Sequence, residues 1–299
     1  MVIPGQTVVR NLRTCQGFGD AMAGSASLCV VAGVEAIRFA VLEGDDNRCL
    51  ALGDLRNNTA SVSAGLNEQV RSFSTFLDGA CEAVPWLCGP FQQRWIAWEG
   101  MSSTLVPPSV MTPGERWEYL SFGHRMEAGE TVLYDRLAVP DAFNIFSVPE
   151  RIREMLASRF GVASLFHYST PLIAGAVADH HRHQGRQALY AWLTERVLDL
   201  VLIDRQGLRF HNRFSCSAPE DAIYYMIYVL QQFGVDPEQA RVILAGQVTE
   251  SDRLVTLLGK YVGHPSVMNS VPDIRPCKEL ADVPVHAWFP VLNLFRCGS

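Results

Sequence analysis

Three histidines, His180, His181 and His183, form the densest group of potential metal ligands in the sequence. Histidines at positions i and i+4 of a helix favour a shared metal ion, whereas the spacings here direct the rings around the helix. Gly185 follows closely and indicates a helix end, where positively charged side chains interact favourably with the helix dipole. We therefore expect an exposed helix terminus, with metal binding as the alternative.

His211 and Cys216 are residue types that can act together as a general base and a thiol nucleophile. They lie on and just after a predicted strand over Leu208–Phe214. Side chains alternate between the two faces of a strand, so His211 shares a face with Arg209 and Arg213, and Cys216 lies on the other. The dyad is therefore expected to point apart unless a bulge intervenes. The Arg209-His211-Arg213 stripe is expected to be a solvated face, with contact to an acidic partner as the alternative.

Cysteine spacing argues against a zinc site, because such sites usually need closely spaced pairs and no Cys-x-x-Cys motif is present. The eight cysteines are at positions 15, 29, 49, 81, 88, 216, 277 and 297. Residues 1–20 lack a basic segment followed by an apolar run, so no secretory signal is expected. We therefore expect reduced, mostly buried thiols in a cytoplasmic protein rather than a disulfide framework. Lys260 and Lys278 are the only lysines, and neither follows a Gly-rich stretch, which excludes the P-loop pattern.

The composition is that of a folded chain rather than a disordered or membrane-spanning one. Of 299 residues, 48% are hydrophobic and 19% are charged, and the formal net charge is −6. No apolar run is long enough for a membrane span, and the acidic balance does not favour nucleic-acid binding. Tyr224, Tyr225 and Tyr228 with Trp192 could stack on RNA bases. Without a basic surplus, core and interface packing is the favoured interpretation.

Predicted strands and helices follow the same order twice along the chain: three strands, a helix and a fourth strand. In the first half we expect strands over 28–31, 36–42, 48–52 and 91–98, with a helix over 63–80. In the second half we expect strands over 188–193, 197–203, 208–214 and 241–245, with a helix after the capping box of Ser217 and Glu220. The offset from residue 28 to residue 188, which is 160 residues, superimposes the two meanders and places Glu35 on Glu195.

The chain is expected to divide into an N-terminal extension (1–24), a first domain (25–185) with a middle insertion (about 102–138), and a second domain (186–299). Between the repeats, strands are expected over 130–138, 142–146 and 162–168, with Ser147 and Glu150 capping a helix. The apolar segment His286–Phe295 is expected to dock on the body of the protein. Strands that alternate with helices predict a layered α/β structure with parallel pairing.

Two meanders that each lead into helix–strand units resemble the duplicated ribonuclease-H-like fold of the actin-like ATPases. Residues 132–135, 142–149 and 160–162 are similar to the corresponding run in the pilus-assembly and cell-division members of that superfamily. The resemblance implies an α/β protein with duplicated ribonuclease-H-like (actin-like ATPase) domains, whose mixed sheets face a cleft.

A closer resemblance is to an uncharacterised, mainly Bacteroidetes family, domain of unknown function 3822, which has an actin-like ATPase fold. It covers about residues 25 to 297 and rests on packing and turn signatures. These include Asn212-Arg213-Phe214, Pro219-Glu220-Asp221, Tyr224-Tyr225, Gly234 and Leu244-Ala245-Gly246. The resemblance implies a bacterial protein with this fold and with no established activity.

An active actin-like ATPase has two phosphate loops, typically Asp-x-Gly, in which the acid handles metal and water and the glycine turns amides toward phosphate. The resemblance places these loops at Glu35-Ala36-Ile37 and Glu195-Arg196-Val197. The acids are present, but Ile37 and Val197 replace the glycines, and β-branched residues resist positive φ. The adenosine-side loop, Ala245-Gly246-Gln247, has one glycine where consecutive glycines are usual.

We therefore expect a non-catalytic cytoplasmic adaptor or scaffold; a divergent nucleotide-binding ATPase or kinase-like enzyme is the alternative. No residue is assigned as catalytic, cofactor-binding or metal-binding, and no cofactor is expected. The expected partner is a protein rather than nucleic acid or a membrane. Trp117 and Tyr119 in the insertion are residue types that often anchor interfaces, so this segment is the expected contact, with inward packing as the alternative.

Overall fold

The computed structural model describes residues 7–19, 24–60, 64–183 and 187–297. Two compact units are present. The first comprises Met1–Pro171, Asp273–Val283 and Pro290–Ser299, and the second comprises Leu172–Pro272 and Pro284–Phe289. Gly185, at the predicted domain boundary, lies outside the described residues, as does the predicted helix start at Ser63. The domain ranges 1–24, 25–185 and 186–299 therefore stay a prediction.

Strands and helices alternate along most of the chain. The strands are β1 (Thr7–Thr14), β2 (Ala26–Ala32), β3 (Ala36–Glu43), β4 (Arg48–Asn57), β5 (Gln93–Trp98), β6 (Ser103–Val106), β7 (Glu130–Leu137), β8 (Ala142–Pro149), β9 (Phe166–His167), β10 (Ala188–Leu193), β11 (Val197–Asp204), β12 (Gly207–Ser215), β13 (Arg241–Gly246), β14 (His264–Val267) and β15 (Arg275–Pro276). The helices are α1 (Leu66–Ala83), α2 (Arg116–Ser121), α3 (Glu150–Phe160), α4 (Ser169–Arg182), α5 (Pro219–Gln232), α6 (Arg253–Leu258) and α7 (Phe289–Leu292). None of the helices in the described part of the chain is long and apolar enough to cross a bilayer.

The main sheets of the two units repeat one topology. In the first unit β2, β3 and β4 form an antiparallel meander, and β5 pairs parallel with β2. In the second unit β10, β11 and β12 repeat the meander, and β13 pairs parallel with β10. The orders β4-β3-β2-β5-β9 and β12-β11-β10-β13-β14 therefore match strand by strand. A separate sheet, β6-β8-β7, lies in the first unit; β6 and β7 belong to the predicted insertion, and β8 follows it.

The repeat extends to the pairing register of the strands. Ala32 and Leu193 are the last paired residues of β2 and β10. The pairing with the third strand then shifts by one residue after Val41 in β3 and after Leu202 in β11. Both sets of counterparts lie 161 positions apart, so the same bulge occurs at the same place in each meander. The sequence offset of 160 is wrong by one residue.

Alternation of side chains builds the core of the second unit. The leucines at 198, 200 and 202 of β11 point into one apolar cluster, where Met226 and Leu230 of α5 cover them. The intervening positions, including Asp199, lie on the opposite face of the sheet. A run such as Val197–Asp204 is thus apolar enough for a central strand but carries one acid into the interior.

The first unit contains a strand that the sequence analysis does not assign. β1 pairs antiparallel with β4 and, together with β15, covers the outer edge of that strand. This pairing brings Cys15 beside Cys277, and the two form a disulfide. A second disulfide joins Cys81 near the end of α1 to Cys88 in the 3₁₀ turn that follows. The expectation of reduced thiols is wrong for these four residues, because the fold brings each pair together.

The helix α5 begins one residue later than the predicted capping box requires. Ala218 is its N-cap, so the residue three positions on is Asp221. The Asp221 carboxylate accepts the Ser217 and Ala218 amides, at 3.0 Å each. Glu220, the predicted capping acid, instead forms an ion pair with Arg253.

Other predicted boundaries also differ from the structure. β8 runs to Pro149, so Ser147 belongs to the strand, and its hydroxyl donates to Glu130 (2.9 Å) instead of capping α3. The predicted strand over 162–168 is reduced to β9. The C-terminal apolar segment forms α7 between two 3₁₀ turns, and Trp288, Phe289 and Leu294 are buried, which confirms that it is not a loose tail.

Candidate functional site

The turn between β2 and β3 is where the resemblance places the first phosphate loop. Gly33 donates its amide to the Ala36 carbonyl (2.8 Å), and Asn57 donates to the Glu35 carbonyl (2.9 Å). Ile37 is fully buried and pairs with Ala32 in the strand ladder. None of the described residues 33–37 has a positive φ. The turn is therefore an ordinary hairpin closure rather than a cradle of inward-facing amides.

The turn between β10 and β11 has the same construction. Thr194 donates its amide to the Val197 carbonyl (2.9 Å), and Cys216 donates to the Arg196 carbonyl (2.9 Å). These bonds repeat those of Gly33–Ala36 and Asn57–Glu35 in the first turn, so Arg196 and not Glu195 is the counterpart of Glu35. The pairing of the two acids in the sequence analysis is wrong, because strand pairing sets the offset at 161 residues.

The structure explains why position 246, in the adenosine-side loop, is a glycine. Its φ is +94°, and an added Cβ would overlap the backbone of Leu193 at the end of β10. The next residue, Gln247, donates its amide to the Leu193 carbonyl (2.8 Å), as Glu99 does to the Ala32 carbonyl in the first unit (2.7 Å). The close approach of β13 to β10 thus requires this glycine without any ligand.

A buried polar network in the first unit is the group that sequence reasoning missed. Asp135 of β7 accepts hydrogen bonds from the Thr170 hydroxyl (2.5 Å) and the His167 amide (2.8 Å). Asn144 of β8 donates to both the Ser169 and Thr170 hydroxyls (2.9 Å each). Burial raises the pKa of Asp135 to about 7, against the lowering effect of its two hydrogen bonds. The sequence signal is Asn144 inside a mainly apolar strand.

Asp135, His167 and Ser169 are the residue types of a hydrolase triad, but their geometry is different. The Ser169 hydroxyl lies 2.7 Å from His167 Nδ1, and the other ring nitrogen lies 3.4 Å from the Gly100 carbonyl. Asp135 accepts the backbone amide of His167 rather than a ring nitrogen, so it does not orient the imidazole. All three side chains are buried. The network therefore holds β7, β8 and the start of α4 together and offers no exposed nucleophile.

The Arg209-His211-Arg213 stripe is not the solvated face that the sequence predicts. Asp199 of β11 is fully buried, and its carboxylate lies 3.3 Å from Arg213 Nε and 3.5 Å from His211 Nε2. The side chains of His211 and Arg213 are only 7% and 11% exposed. Arg209 alone is half-exposed and pairs with Asp204 at the turn (2.8 Å). His211 and Arg213 are buried because they lie against the Asp199 carboxylate, and a buried charge needs such partners.

His211 and Cys216 lie apart, as strand alternation predicts. His211 contacts Asp199, whereas Cys216 packs on the apolar cluster with Phe214. The Cys216 thiol donates to the Ala218 carbonyl (3.3 Å), and burial raises its pKa. A thiol with a raised pKa and no adjacent imidazole is poorly suited to nucleophilic attack.

The histidine cluster at the end of α4 does not form one exposed terminus. His180 is buried, and burial lowers its pKa, so the expectation of exposure is wrong for this residue. His181 and His183 are exposed, and His183 Nδ1 lies 3.0 Å from the Asp179 carbonyl. The Asp179 carboxylate accepts the Tyr190 hydroxyl (2.8 Å) and lies 3.8 Å from His183 Nδ1. Gly185 lies outside the described residues.

One group of side chains in the described part of the chain has the composition of a metal site. Ligand atoms of Cys15, Cys277 and Glu279 lie within 4.8 Å of one another. Both sulfurs belong to the disulfide between Cys15 and Cys277, so neither is a thiolate that could bind zinc.

Exposed aromatic side chains mark two surfaces. In the insertion, Trp117 is 44% exposed and Phe122 is 97% exposed, whereas Tyr119 packs on the local core and donates its hydroxyl to the Val110 carbonyl. In the second unit, Tyr224 is 63% exposed, but Trp192 is buried on the opposite face of the sheet. The predicted aromatic group is therefore divided between a surface and the interior.

The duplicated sheets with matching strand order define an α/β protein with the actin-like ATPase fold, in which both halves are ribonuclease-H-like. The structure is similar to a Bacteroides thetaiotaomicron protein with actin-like ATPase fold and unknown function (TM-score 0.72, 19% identity, covering 84% of this chain and 94% of that one). It is also similar to a chain of the PilM–PilN type IV pilus biogenesis complex (TM-score 0.59, 13% identity, covering 91% and 98%). Similarity at these identities shows the fold alone.

The sequence itself identifies the family. Residues 20–264 match the model of DUF3822, a family of proteins of unknown function, and the chain belongs to it. No curated protein matches the sequence. The family resemblance in the sequence analysis is confirmed, and it brings no established activity with it.

Proposed function

We propose that this protein is a non-catalytic adaptor or scaffold that retains the actin-like ATPase fold and does not hydrolyse ATP. The observation that carries the proposal is the construction of the two turns at the phosphate-loop positions. In each turn the first residue donates its amide back across the turn, and the end of the third strand donates to a turn carbonyl. The positions that follow, Ile37 and Leu198, are buried strand residues. Amides committed to closing a hairpin are not directed toward a phosphate.

Charge at the two turns supports the same proposal. An ATPase of this class uses an acid in each phosphate loop to handle metal and water. The counterpart of Glu35 is Arg196, so equivalent positions in the two meanders carry opposite charges. Glu195 corresponds to Val34, where the first turn has no acid. The catalytic alternative requires an acid at equivalent positions of both turns, and the two turns do not carry such a pair.

The test is the stability of the full chain with and without magnesium and ATP. A ligand at 100 times its dissociation constant would add about 2.7 kcal/mol to the free energy of unfolding. We expect no shift of the melting temperature with millimolar ATP and no phosphate release. A clear shift, or phosphate release that Glu35→Ala or Glu195→Ala abolishes, would contradict the proposal and favour the divergent enzyme.

We further propose that the insertion supplies the partner-binding surface, with Trp117 and Phe122 as anchors. Both side chains are exposed on or beside α2, and exposed aromatics are common anchors at interfaces. The structurally similar PilM chain comes from a complex with PilN, which agrees with a partner-binding role for the fold. Tyr119 is not part of this surface, because it packs on the local core.

Purification of the tagged chain from its native host tests this surface. Trp117→Ala with Phe122→Ala is expected to keep the wild-type melting temperature and to lose the co-purified protein. Tyr119→Ala is the matched control, and it is expected to lower the melting temperature, because the Tyr119 hydroxyl bonds the Val110 carbonyl. Unchanged recovery of the partner by the folded double variant would reject the surface.

A further inference from the structure

The third strand of each meander has different outer neighbours in the two units. In the first unit β1 pairs antiparallel along β4, and β15 covers the beginning of β4. In the second unit β12 is the last strand of its sheet, and no strand within the described ranges pairs with its outer edge. Because the meanders match in order and register, β1 on β4 is an internal example of what completes such an edge.

The backbone of β12 presents hydrogen-bonding groups along this edge. Cys216 directs its amide toward the turn before β11. Backbone groups alternate in direction along an antiparallel strand, so those of Ser215 and His211 point away from β11. The counterpart of Ser215 in β4 is Arg56, which pairs with Val8 of β1. The outward amide of Arg213, which lies between them, donates to Asn212 Oδ1 (2.9 Å), so an added strand would pair with the backbone groups of Ser215 and His211.

A row of aromatic side chains follows the same edge. We define this aromatic row as Phe210 and Phe214 of β12 with Tyr224, Tyr225 and Tyr228 of α5. Ring centroids of neighbours along the row lie 4.4–6.4 Å apart, and the two ends of the helical part, Tyr224 and Tyr228, are 63% and 44% exposed. The row gives apolar contact to any strand added beside β12.

Neither self-pairing of β12 nor pairing at the opposite sheet edge fits the geometry as well. In the first unit the edge of β4 is completed by β1, an extended segment from outside the meander, rather than by the third strand of another meander. The opposite edge of the sheet, β14, has only four residues and contains Pro265, which lacks an amide and weakens pairing. β12 has nine residues and no proline. The edge of β12 is therefore the better template for a foreign strand.

We propose that the outer edge of β12 binds an extended segment of another protein as an added antiparallel strand. The segment would have apolar side chains at every second position, which pack on the aromatic row. Arg209 and Arg213 already pair with acids of this chain, so recognition requires no fixed charge pattern. This mode of binding takes affinity from main-chain hydrogen bonds and selectivity from alternate side chains. It concerns a different unit from the insertion surface and does not depend on it.

The experiment selects ligands for the full chain from random peptides displayed on phage, long enough to span β12. Enriched sequences are expected to alternate apolar and polar residues and to bind as synthetic peptides, whereas scrambled versions do not. Ser215→Pro removes an outward amide without touching the β11 ladder, and it is expected to weaken binding about tenfold or more. Ser215→Ala keeps the amide, serves as the matched control and is expected to bind like the wild type.

Further measurements test the proposal without relying on Ser215→Pro alone. Tyr224→Ala is expected to weaken peptide binding, whereas Trp117→Ala in the first unit leaves it unchanged. Hydrogen exchange at residues 211–215 should slow when peptide is added, and this readout needs no variant if Ser215→Pro fails to fold. Failure to enrich alternating peptides, or equal affinity of the folded Ser215→Pro protein, would overturn the proposal. A concentration-dependent dimer that Ser215→Pro abolishes would also overturn it, by assigning the edge to a second copy.

Discussion

Asp135→Asn is expected to remove the contribution that one buried carboxyl group makes to the pH dependence of stability between about pH 4 and pH 7. Asp135 is 5% exposed, and its carboxylate accepts the Thr170 hydroxyl and the His167 amide. Burial raises its pKa from 3.8 to about 7, because the two hydrogen bonds only partly offset the loss of water around the charge. The asparagine oxygen can accept the same two bonds without a charge.

The direction of the effect follows from proton binding. The folded protein keeps the Asp135 proton up to about pH 7, whereas the unfolded chain releases it near pH 3.8. Between these values the folded state binds more protons, so the free energy of unfolding falls as the pH rises. The contribution is fully present below pH 3.8 and is lost as the pH rises through about 7. At about 1.4 kcal/mol for each pH unit, its size is of the order of 4 kcal/mol.

Urea unfolding at a series of pH values from about 5 to 8 measures this slope. The free energy of unfolding of Asp135→Asn minus that of the wild type is expected to grow as the pH rises across the series and to level off above about pH 7. The buried His180 and His286, whose lowered pKa values act in the opposite direction, contribute equally to both proteins. Asp141→Asn is the matched control, because this exposed acid forms only a surface pair with Arg136, and it should retain the wild-type slope. Parallel curves for Asp135→Asn and the wild type would refute the assignment of the slope to this carboxyl group.

Two further substitutions test the second unit by urea unfolding. Gly246→Ala should lower the free energy of unfolding by about 3 kcal/mol or more, because the new Cβ would overlap the end of β10 at positive φ. Gly234→Ala, also at positive φ but in open space, should lower it by about 1 kcal/mol. Equal losses would contradict the close approach of β13 to β10. Arg213→Ala should cost about 3 kcal/mol, because it removes an ion-pair partner of the buried Asp199 carboxylate, and Arg209→Ala, at an exposed pair, less than about 1 kcal/mol. A loss for Arg213→Ala as small as that of Arg209→Ala would show that this ion pair contributes little.

The strands of both meanders could be predicted from sequence, because alternating or continuous apolar runs between turns leave few other conformations. Their mutual register could not be predicted to the residue. An offset of 160 places Glu35 on Glu195 and looks attractive as a sequence match. An offset of 161 places Glu35 on Arg196 and is the one that the hydrogen bonds require. Apolar residues flank both turns, so composition does not distinguish a slip of one residue, whereas backbone pairing does.

The buried polar groups show a second limit of sequence reasoning. Strand alternation correctly places His211 and Cys216 on opposite faces, but it does not reveal that the face of His211 is covered and holds the buried Asp199. The Asp135 network joins segments around residues 135, 144 and 167–170, which are distant in sequence. Local patterns record which residues alternate, whereas burial of a polar side chain depends on which segments meet. Asn144 within a mainly apolar strand is the one local sign of this network.

Duplication gives a physical basis for separating structure from function in this protein. Features that both meanders share, such as the bulge after Val41 and Leu202 and the closed turns, follow from the folding of the sheet itself. Features that differ between the meanders do not follow from the shared fold. The turns differ in charge at Glu35 and Arg196, which is the reverse of what two cooperating phosphate loops would require. The outer edges of the meanders also differ: β1 pairs with β4, whereas no strand in the described part of the chain pairs with the outer edge of β12. The asymmetry between the units thus argues for recognition of an extended chain rather than of a nucleotide.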